Sequence, residues 1–283
     1  MMVYNKRKYD LLKGEQMKAI GILNQKGGVG KSTTALSLGA GLTRKGFKVL
    51  YVDMDAQCNL SNSMGAAIIA ELNIFDVLTG RTDIEHAITQ TSQGLIIPGS
   101  PALSGADMVI ADTGKEYRLK EALGPLSRQY DYVIIDTPPA LGILTINALT
   151  AAAGCIIPSQ ADVFSLQGIT QLFATIQAVK KYCNPELSVM GILITRYNQR
   201  LVISRDVADM LRETAAQMGT KLYATRIREC AAIKESQAVK RNIFEYAPRS
   251  NAAADYAAFV DELLDTIVSD TIVSNCSEVE YGK

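Results

Sequence analysis

Lys18-Ala19-Ile20-Gly21-Ile22-Leu23-Asn24-Gln25-Lys26-Gly27-Gly28-Val29-Gly30-Lys31-Ser32-Thr33-Thr34 is the stretch that decides the fold. Its apolar start reads as a short buried strand, its glycines as a loop, and the residues from Lys31 onward as a helix. Glycine lets a backbone take positive φ and approach an anion closely. The N–H groups of Gly27, Gly28, Val29 and Gly30, together with the helix N-terminus, can then all point at one place. Strand, glycine loop and helix in that order make a phosphate cradle. In such a loop Lys31 reaches the β- and γ-phosphates and the Ser32 hydroxyl binds Mg²⁺, while Thr33 is placed for the α-phosphate. The ordinary pattern, G-x-x-x-x-G-K-[ST], is broken at its first position by Gln25, and Lys26 adds a second lysine.

Outward from this loop, short apolar runs alternate with amphipathic stretches, as parallel strands alternate with crossover helices. The pattern predicts strands at 18–23, 48–52, 95–97, 132–135, 155–158, 189–194 and 221–224. Helices are predicted at 31–44, 118–128, 145–152, 166–182, 203–217, 233–240 and 252–267. The fold expected is α/β: a single doubly wound, mostly parallel sheet flanked by helices. Apolar residues at Ala253, Ala257, Val260, Leu264 and Ile267 keep close to a helical period, so the last helix should pack on the sheet. Residues 1–16 read as a loose leader, 17–268 as one domain, and 269–283 as an acidic, frayed tail.

Composition narrows the function. The 283 residues are 48% hydrophobic and 20% charged, which suits one large globular domain. No apolar run reaches the roughly 18 residues of a membrane span, and residues 1–16 lack the apolar stretch of a signal peptide. A cytoplasmic protein is expected. Cys58, Cys155, Cys183, Cys230 and Cys276 stand singly, without the paired spacing of a zinc or iron–sulfur site. The one histidine, His86, lies in a polar stretch far from the loop, and a lone imidazole needs partners for catalysis. Lys+Arg and Asp+Glu balance at 29 each, but unevenly along the chain. Residues 180–249 carry 13 basic against 7 acidic residues, and residues 251–283 carry 7 acidic residues against one lysine. A basic face beside an acidic tail follows.

Two further segments accompany the loop. Val49-Leu50-Tyr51-Val52 leads into Asp53-Met54-Asp55-Ala56-Gln57-Cys58-Asn59, and Tyr132-Val133-Ile134-Ile135 leads into Asp136-Thr137-Pro138-Pro139. An apolar run ending in Asp often means no more than a capped strand. Downstream of a phosphate loop, it reads as a metal-facing carboxylate. The string K-G-G-x-G-K-[ST] resembles the deviant Walker A group of P-loop ATPases, which contains ParA/Soj, MinD, the nitrogenase iron protein and the Mrp-type scaffolds. Asp53 to Asn59 is similar to that group's D-x-D-P-Q-G-N, with Ala56 and Cys58 in place of Pro and Gly. The resemblance implies a homodimer with ATP sandwiched, Lys26 reaching the partner's nucleotide. It implies catalytic roles for Lys26, Lys31 and Asp55, the last positioning the attacking water, and Mg²⁺ held by Ser32 and Asp136 with Asp53 behind them.

Over 17–267 the chain looks most like the ParA/Soj branch. Leu141 to Leu149 is similar to the segment after its switch, and Ile157-Pro158 with Leu166-Gln167-Gly168 to its I-P…L-x-G stretch. Paired cluster cysteines, as in the iron protein, are missing, and the acidic tail is unlike MinD's basic membrane helix. The leader is too short for the helix-turn-helix domain of long ParA proteins. The branch implies a slow ATPase, stimulated by a ParB-like partner, that binds non-specific DNA, associates with the nucleoid and partitions a plasmid, chromosome or mobile element. Gly191 to Arg200 resembles its L-L-T-x-x-D-x-R stretch and makes Arg200 the first DNA candidate, with Arg226, Arg228, Lys234, Lys240 and Arg241 behind it. Where relatives carry I-P-R-N-V-R-L, which contributes to adenine and DNA binding, this chain has Ile227-Arg228-Glu229-Cys230-Ala231-Ala232-Ile233. Positioning of a protein cargo, or a fold-related ATP-dependent small-molecule enzyme, are the alternatives.

Overall fold

Strand β1 (Lys18–Ile22) lies at the centre of an eight-stranded sheet. The computed structural model describes residues 9–14, 16–66 and 71–280, with the side chains at 163, 164, 167 and 272–280 left undescribed. Much of the expected leader and the last three residues of the expected tail lie outside the described residues. In chain order the other strands are β2 (Val49–Asp53), β3 (Thr89–Thr91), β4 (Gly94–Ile97), β5 (Tyr132–Asp136), β6 (Gly154–Gln160), β7 (Ser188–Tyr197) and β8 (Leu222–Arg228). Their spatial order is β3-β4-β2-β5-β1-β6-β7-β8, every pair parallel except β3 with β4. Helix α1 (Lys31–Arg44) follows the glycine loop, and α2 (Asn59–Met64) follows the Asp53–Asp55 turn. Then come α3 (Ile74–Leu78), α4 (Ala106–Val109), α5 (Arg118–Leu123), α6 (Ile143–Ala151), α7 (Val163–Tyr182), α8 (Val202–Gln217), α9 (Ala231–Ala238), α10 (Ile243–Tyr246) and α11 (Asn251–Glu280).

The two-residue period of the strands sorts the core into layers. Ile20, Ile22, Tyr51, Ile134 and Ile156 face α1 and α11, where they meet Leu38, Leu42, Phe259 and Leu263. Ala19, Leu50, Val52, Val133 and Ile135 face the other way, toward α3, α5 and α6. Cys155, Ile157, Ile192 and Ile194 pack on that side against α7 and α8. Gly39 and Gly41 sit inside α1, where glycine costs about 1 kcal/mol relative to alanine. A β-carbon at Gly39 would come within 2.4 Å of the Tyr51 ring, and one at Gly41 within 2.6 Å of Val260. Close helix–sheet packing requires both.

The expected α/β sheet is present, with differences at its margins. Strand β3 was unmarked in the sequence because three half-buried polar residues carry no apolar alternation. Predicted helix 118–128 gives way after Leu123 to a 3₁₀ turn, Gly124–Leu126, because Pro125 has no N–H to donate. Instead of a frayed tail, α11 continues to Glu280, since no glycine or proline interrupts the chain after Pro248 until Gly282. The leader is not loose where it is described. Tyr9 and Leu12 are buried in the core, and the Tyr9 hydroxyl donates to Asp265 Oδ1 at 2.8 Å. Burying an aromatic ring of this size contributes roughly 2 kcal/mol. Strands β7 and β8 also run further than predicted, pairing as far as Tyr197 with Arg228. That extension brings both strand ends to the cavity described next.

Candidate nucleotide site

The C-terminal ends of β1, β2, β5, β7 and β8 open onto one cavity of about 690 Å³. Gly28 and Gly30 take φ of 74° and 88°, and Gly30 is the N-cap of α1, so the loop enters the helix with its amides turned inward. Three contacts from neighbouring strands fix its outer side. Asn24 Nδ2 donates to Pro158 O at 2.7 Å, Gln160 Nε2 to Gly28 O at 3.0 Å, and Thr195 Oγ1 to Val29 O at 2.7 Å. Lys31 folds back over the loop and donates to Lys26 O at 3.2 Å. Thr33 accepts from Gln237 Nε2 at 2.8 Å, and Thr34 shares a hydrogen bond with Tyr256.

Three carboxylates gather beneath the loop. The register pairs Asp53 at the end of β2 with Asp136 at the end of β5. Asp53 is fully buried: its Oδ2 accepts from the N–H and hydroxyl of Ser61 at 2.8 and 2.7 Å, and its Oδ1 from Asp55 N at 3.1 Å. Burial pushes its carboxyl up to about 6, with those hydrogen bonds opposing the rise. Asp136 is buried as deeply, and neither of its oxygens has a hydrogen bond of full geometry. Burial first, and the Asp53 charge second, hold its carboxyl well above the usual carboxylate range, although the Ser32 hydroxyl and Lys31 pull the other way. Burial lowers the Lys31 ammonium, while Asp136 and Asp55 resist that fall. Asp55 accepts from Gln57 N at 3.0 Å across a turn that forces Cys58 to φ 52°.

An acidic cluster whose one buried counter-charge among the described residues is Lys31 is relieved by a hard cation, and Asp136 with the Ser32 hydroxyl supplies oxygen donors for one. Asp53 has both oxygens engaged by protein donors, which suits a place behind the cation. Lys26 takes a different course from Lys31. Its Nζ reaches Asp162 Oδ2 at 2.5 Å on the half-exposed rim. Burial alone would raise Asp162, but Lys26 and the donors of Ser165 hold it below the usual carboxylate range.

The basic residues divide. Arg200 is exposed in the turn between β7 and α8. Arg226 lies over the Tyr197 ring and donates to its hydroxyl at 2.5 Å. Arg228 makes an ion pair with Asp255 of α11, with nitrogen–oxygen distances of 2.6 and 2.9 Å. The paired Arg228 side chain stays partly exposed and lines the cavity. Lys234 and Lys240 line the cavity, and Arg241 donates to Glu245 O at 3.3 Å. His86 lies in the short 3₁₀ turn Ile84–Ala87 and is exposed. Gln237, Tyr256, Thr195, Arg196 and Glu229 line the cavity without having been singled out in the sequence. For Thr195 a signal existed, since it ends an apolar run as Asp136 does. The others arrive from separate elements, and no local pattern announces them.

Fold and site together define a P-loop nucleotide-binding protein. Comparison with known proteins agrees. The AAA domain family model AAA_31 matches residues 17–189. The sporulation initiation inhibitor protein Soj of Bacillus subtilis is 38% identical over 250 residues, 87% of this chain and 98% of that protein. The chromosome partitioning protein ParA of Caulobacter vibrioides is 35% identical over 88% of this chain and 94% of its own length. A structure of cobyrinic acid a,c-diamide synthase from Mycobacterium smegmatis with bound ADP and magnesium is 36% identical, with a TM-score of 0.76 over 88% of this chain and 94% of that one. An ATP complex of Cyanothece McdA superimposes with a TM-score of 0.78 at 26% identity, covering 88% and 96%. The chain belongs to the ParA/Soj-like family of P-loop ATPases.

Proposed function

We propose that this protein is an ATP-driven dimerising switch that binds DNA without sequence preference and partitions a replicon with a ParB-like partner. The observation that carries the reading is the buried Asp136 carboxylate, without a full hydrogen bond, beside Ser32 and Lys31 at the mouth of a glycine loop. Gly27, Gly28, Val29 and Gly30 donate backbone N–H groups to the phosphates, Lys31 adds its charge, and Thr33 exchanges Gln237 for the α-phosphate. Ser32 and Asp136 would hold Mg²⁺, with Asp53 behind them, its oxygens bonded to Ser61 and Asp55 N. Magnesium held there would supply charge neutralisation at the phosphates. Asp55, held by Gln57 N, orients water in line with the γ-phosphate, where catalysis needs position more than covalent chemistry. Lys26 leaves Asp162 to reach the partner's nucleotide. Hydrolysis is slow until the partner protein stimulates it, and the protein works in the cytoplasm on the nucleoid.

Asp55→Ala protein tests the switch on DNA of unrelated sequence, with ATP, with ADP and without nucleotide, at rising salt. Retention with ATP alone, weakening steeply with salt, is the expected result. Retention that ignores the nucleotide would overturn the gating. A companion Arg200→Ala change in the same background should release the DNA at moderate salt, and intact retention would remove Arg200 from the interface.

The name borne by the M. smegmatis structure favours a second reading, ATP-dependent amidation of a large organic acid. Such an enzyme needs a second substrate pocket. A further cavity of about 270 Å³ lies between β7 and α11, lined by Val189, Met190, Leu263 and Ile267 together with Lys221 and Asp270. ATP consumption dependent on an added corrinoid acid and an amide donor would establish this reading in place of the first.

A further inference from the structure

Helix α11 touches the nucleotide cavity through one turn and the N-terminal leader through another, and α1 lies against it between the two. Beside the cavity, the Tyr256 hydroxyl shares a hydrogen bond of 3.3 Å with Thr34 Oγ1, in the first turn of α1. Tyr256 itself lines the cavity and is buried. Farther along both helices, Val260 fills the space over Gly41, and Lys45, the residue after α1, forms an ion pair with Asp261. The contacts thus advance along the two helices together, from Thr34 with Tyr256 to Lys45 with Asp261.

The leader closes the far end of this helix pair. Gly14 N donates to Asp131 Oδ1 at 3.3 Å, and Lys48 N to Asp131 Oδ2 at 2.7 Å. Lys48 and Asp131 immediately precede β2 and β5, so the leader lies at the N-terminal ends of the strands, opposite the cavity. The Tyr9 hydroxyl reaches Asp265 at 2.8 Å and Asp261 at 3.4 Å, and the Lys45 ammonium stands 5.6 Å from the centre of its ring. Tyr9, Lys45, Asp261 and Asp265 therefore join leader, α1 and α11 in one cluster. The family model begins only at residue 17, so the leader lies outside it.

A helix bonded along its length moves as a unit, and a close-packed helix pair transmits displacement rather than absorbing it. Phosphates bound at the glycine loop order the first turn of α1. Order that one event has already imposed costs the other nothing further, so the two favour each other.

We propose that α11 couples the leader to the phosphate loop, with Tyr256 as the positioning residue that holds the first turn of α1 and Tyr9 steadying α11 for that task. The inference rests on the nucleotide-binding reading above and adds a regulatory contact at the opposite end of the strands. Coupling is reciprocal: bound nucleotide steadies the leader, and anything that lifts the leader from α11 lowers nucleotide affinity.

The test is a double-mutant cycle on the full chain, read as Mg·ADP affinity by titration with a fluorescent ADP analogue. Tyr256→Phe keeps the ring, removes the hydroxyl and should weaken ADP by about fivefold. Tyr9→Phe should weaken it by about threefold. The double variant should lose no more than about fivefold, because both hydroxyls act through one contact on α1. Amide hydrogen exchange at residues 9–14 should slow by about threefold when Mg·ADP is added to wild type, and should not respond in Tyr256→Phe. A purely structural role for either tyrosine would leave that response to ADP unmoved. Losses that multiply to about fifteenfold in the double variant overturn the proposal, since the two hydroxyls then act independently. Single variants that bind ADP as wild type does, or leader exchange that ignores ADP, overturn it as well while leaving nucleotide binding standing. Failure of wild-type protein to bind ADP would overturn the nucleotide reading itself.

Discussion

Around the glycine loop the groups that line the cavity are backbone amides and buried side chains, whereas around the ends of β7 and β8 they are long, half-exposed side chains that hold one another. The first end runs from Gly27 to Thr33 above Asp53, Asp55 and Asp136. The second is made by Arg196 with Glu229 and by Arg228 with Asp255. A backbone-built site depends on positive-φ glycines and cannot be redrawn without losing the turn. A site built from side chains can be redrawn one residue at a time.

The two lysines of the loop put that contrast to its hardest test. Lys31→Ala removes a buried charge from the phosphate end and should weaken ADP binding on the order of 100-fold. Lys26→Ala, five residues away on the rim, should change it less than about threefold, because its pair with Asp162 is half-exposed. Titration with a fluorescent ADP analogue measures both, and equal losses would erase the distinction between buried and rim charge. Asp55→Ala should slow phosphate release by about 100-fold in a single-turnover assay while ATP affinity stays near wild type, since its work is orientation.

Asp136 sharpens the comparison through stability rather than binding. A carboxyl whose native pKa is raised favours the native state while protonated, and that contribution is lost as pH rises through the native pKa. Asp53 is pushed up to about 6 and Asp136 shifts in the same direction, so nucleotide-free protein loses stability from about pH 4 to above pH 6. Asp136→Asn carries no charge to bury and should exceed wild type by about 1–2 kcal/mol near pH 7.5 and match it near pH 4.5 in urea unfolding without Mg²⁺.

The smallest effect concerns Cys58, which holds a left-handed φ of 52°. Its thiol is buried, and burial, followed by the charges of Asp53 and Asp55, pushes it up to about 11. Cys58→Gly should be more stable than Cys58→Ala by about 1 kcal/mol in thermal unfolding, because alanine keeps the left-handed strain and glycine does not. Equal stabilities would mean that the turn relaxes around alanine.

Much of the fold was legible because its signals are local. Helix α1 was predicted from 31 to 44 and spans Lys31–Arg44, set by Gly30 at one end and Gly46 beyond the other. Strands buried on both faces announce themselves as apolar runs, and β1, β2 and β5 follow theirs closely. Strand β3 and the far ends of β7 and β8 were not legible, because they form by pairing with a neighbour and their residues are polar on an exposed side. The same division runs through the site. Lys31, Ser32 and Asp136 stand at strand ends or helix starts whose chemistry a short string declares.

By itself, then, the sequence determined the strand–loop–helix cradle, the carboxylates at the ends of β2 and β5, and the alternation that makes the sheet parallel. Each follows from a backbone requirement or a burial period that neighbouring residues alone impose. Tertiary structure decided which arginines are open and which are spent: Arg228 on Asp255, Arg226 on Tyr197, Arg196 on Glu229. It also brought Gln237 to Thr33 and Tyr9 to Asp265 across some two hundred residues or more. Side-chain partnership at that separation depends on where the helices land on the sheet, and no local run of residues encodes it.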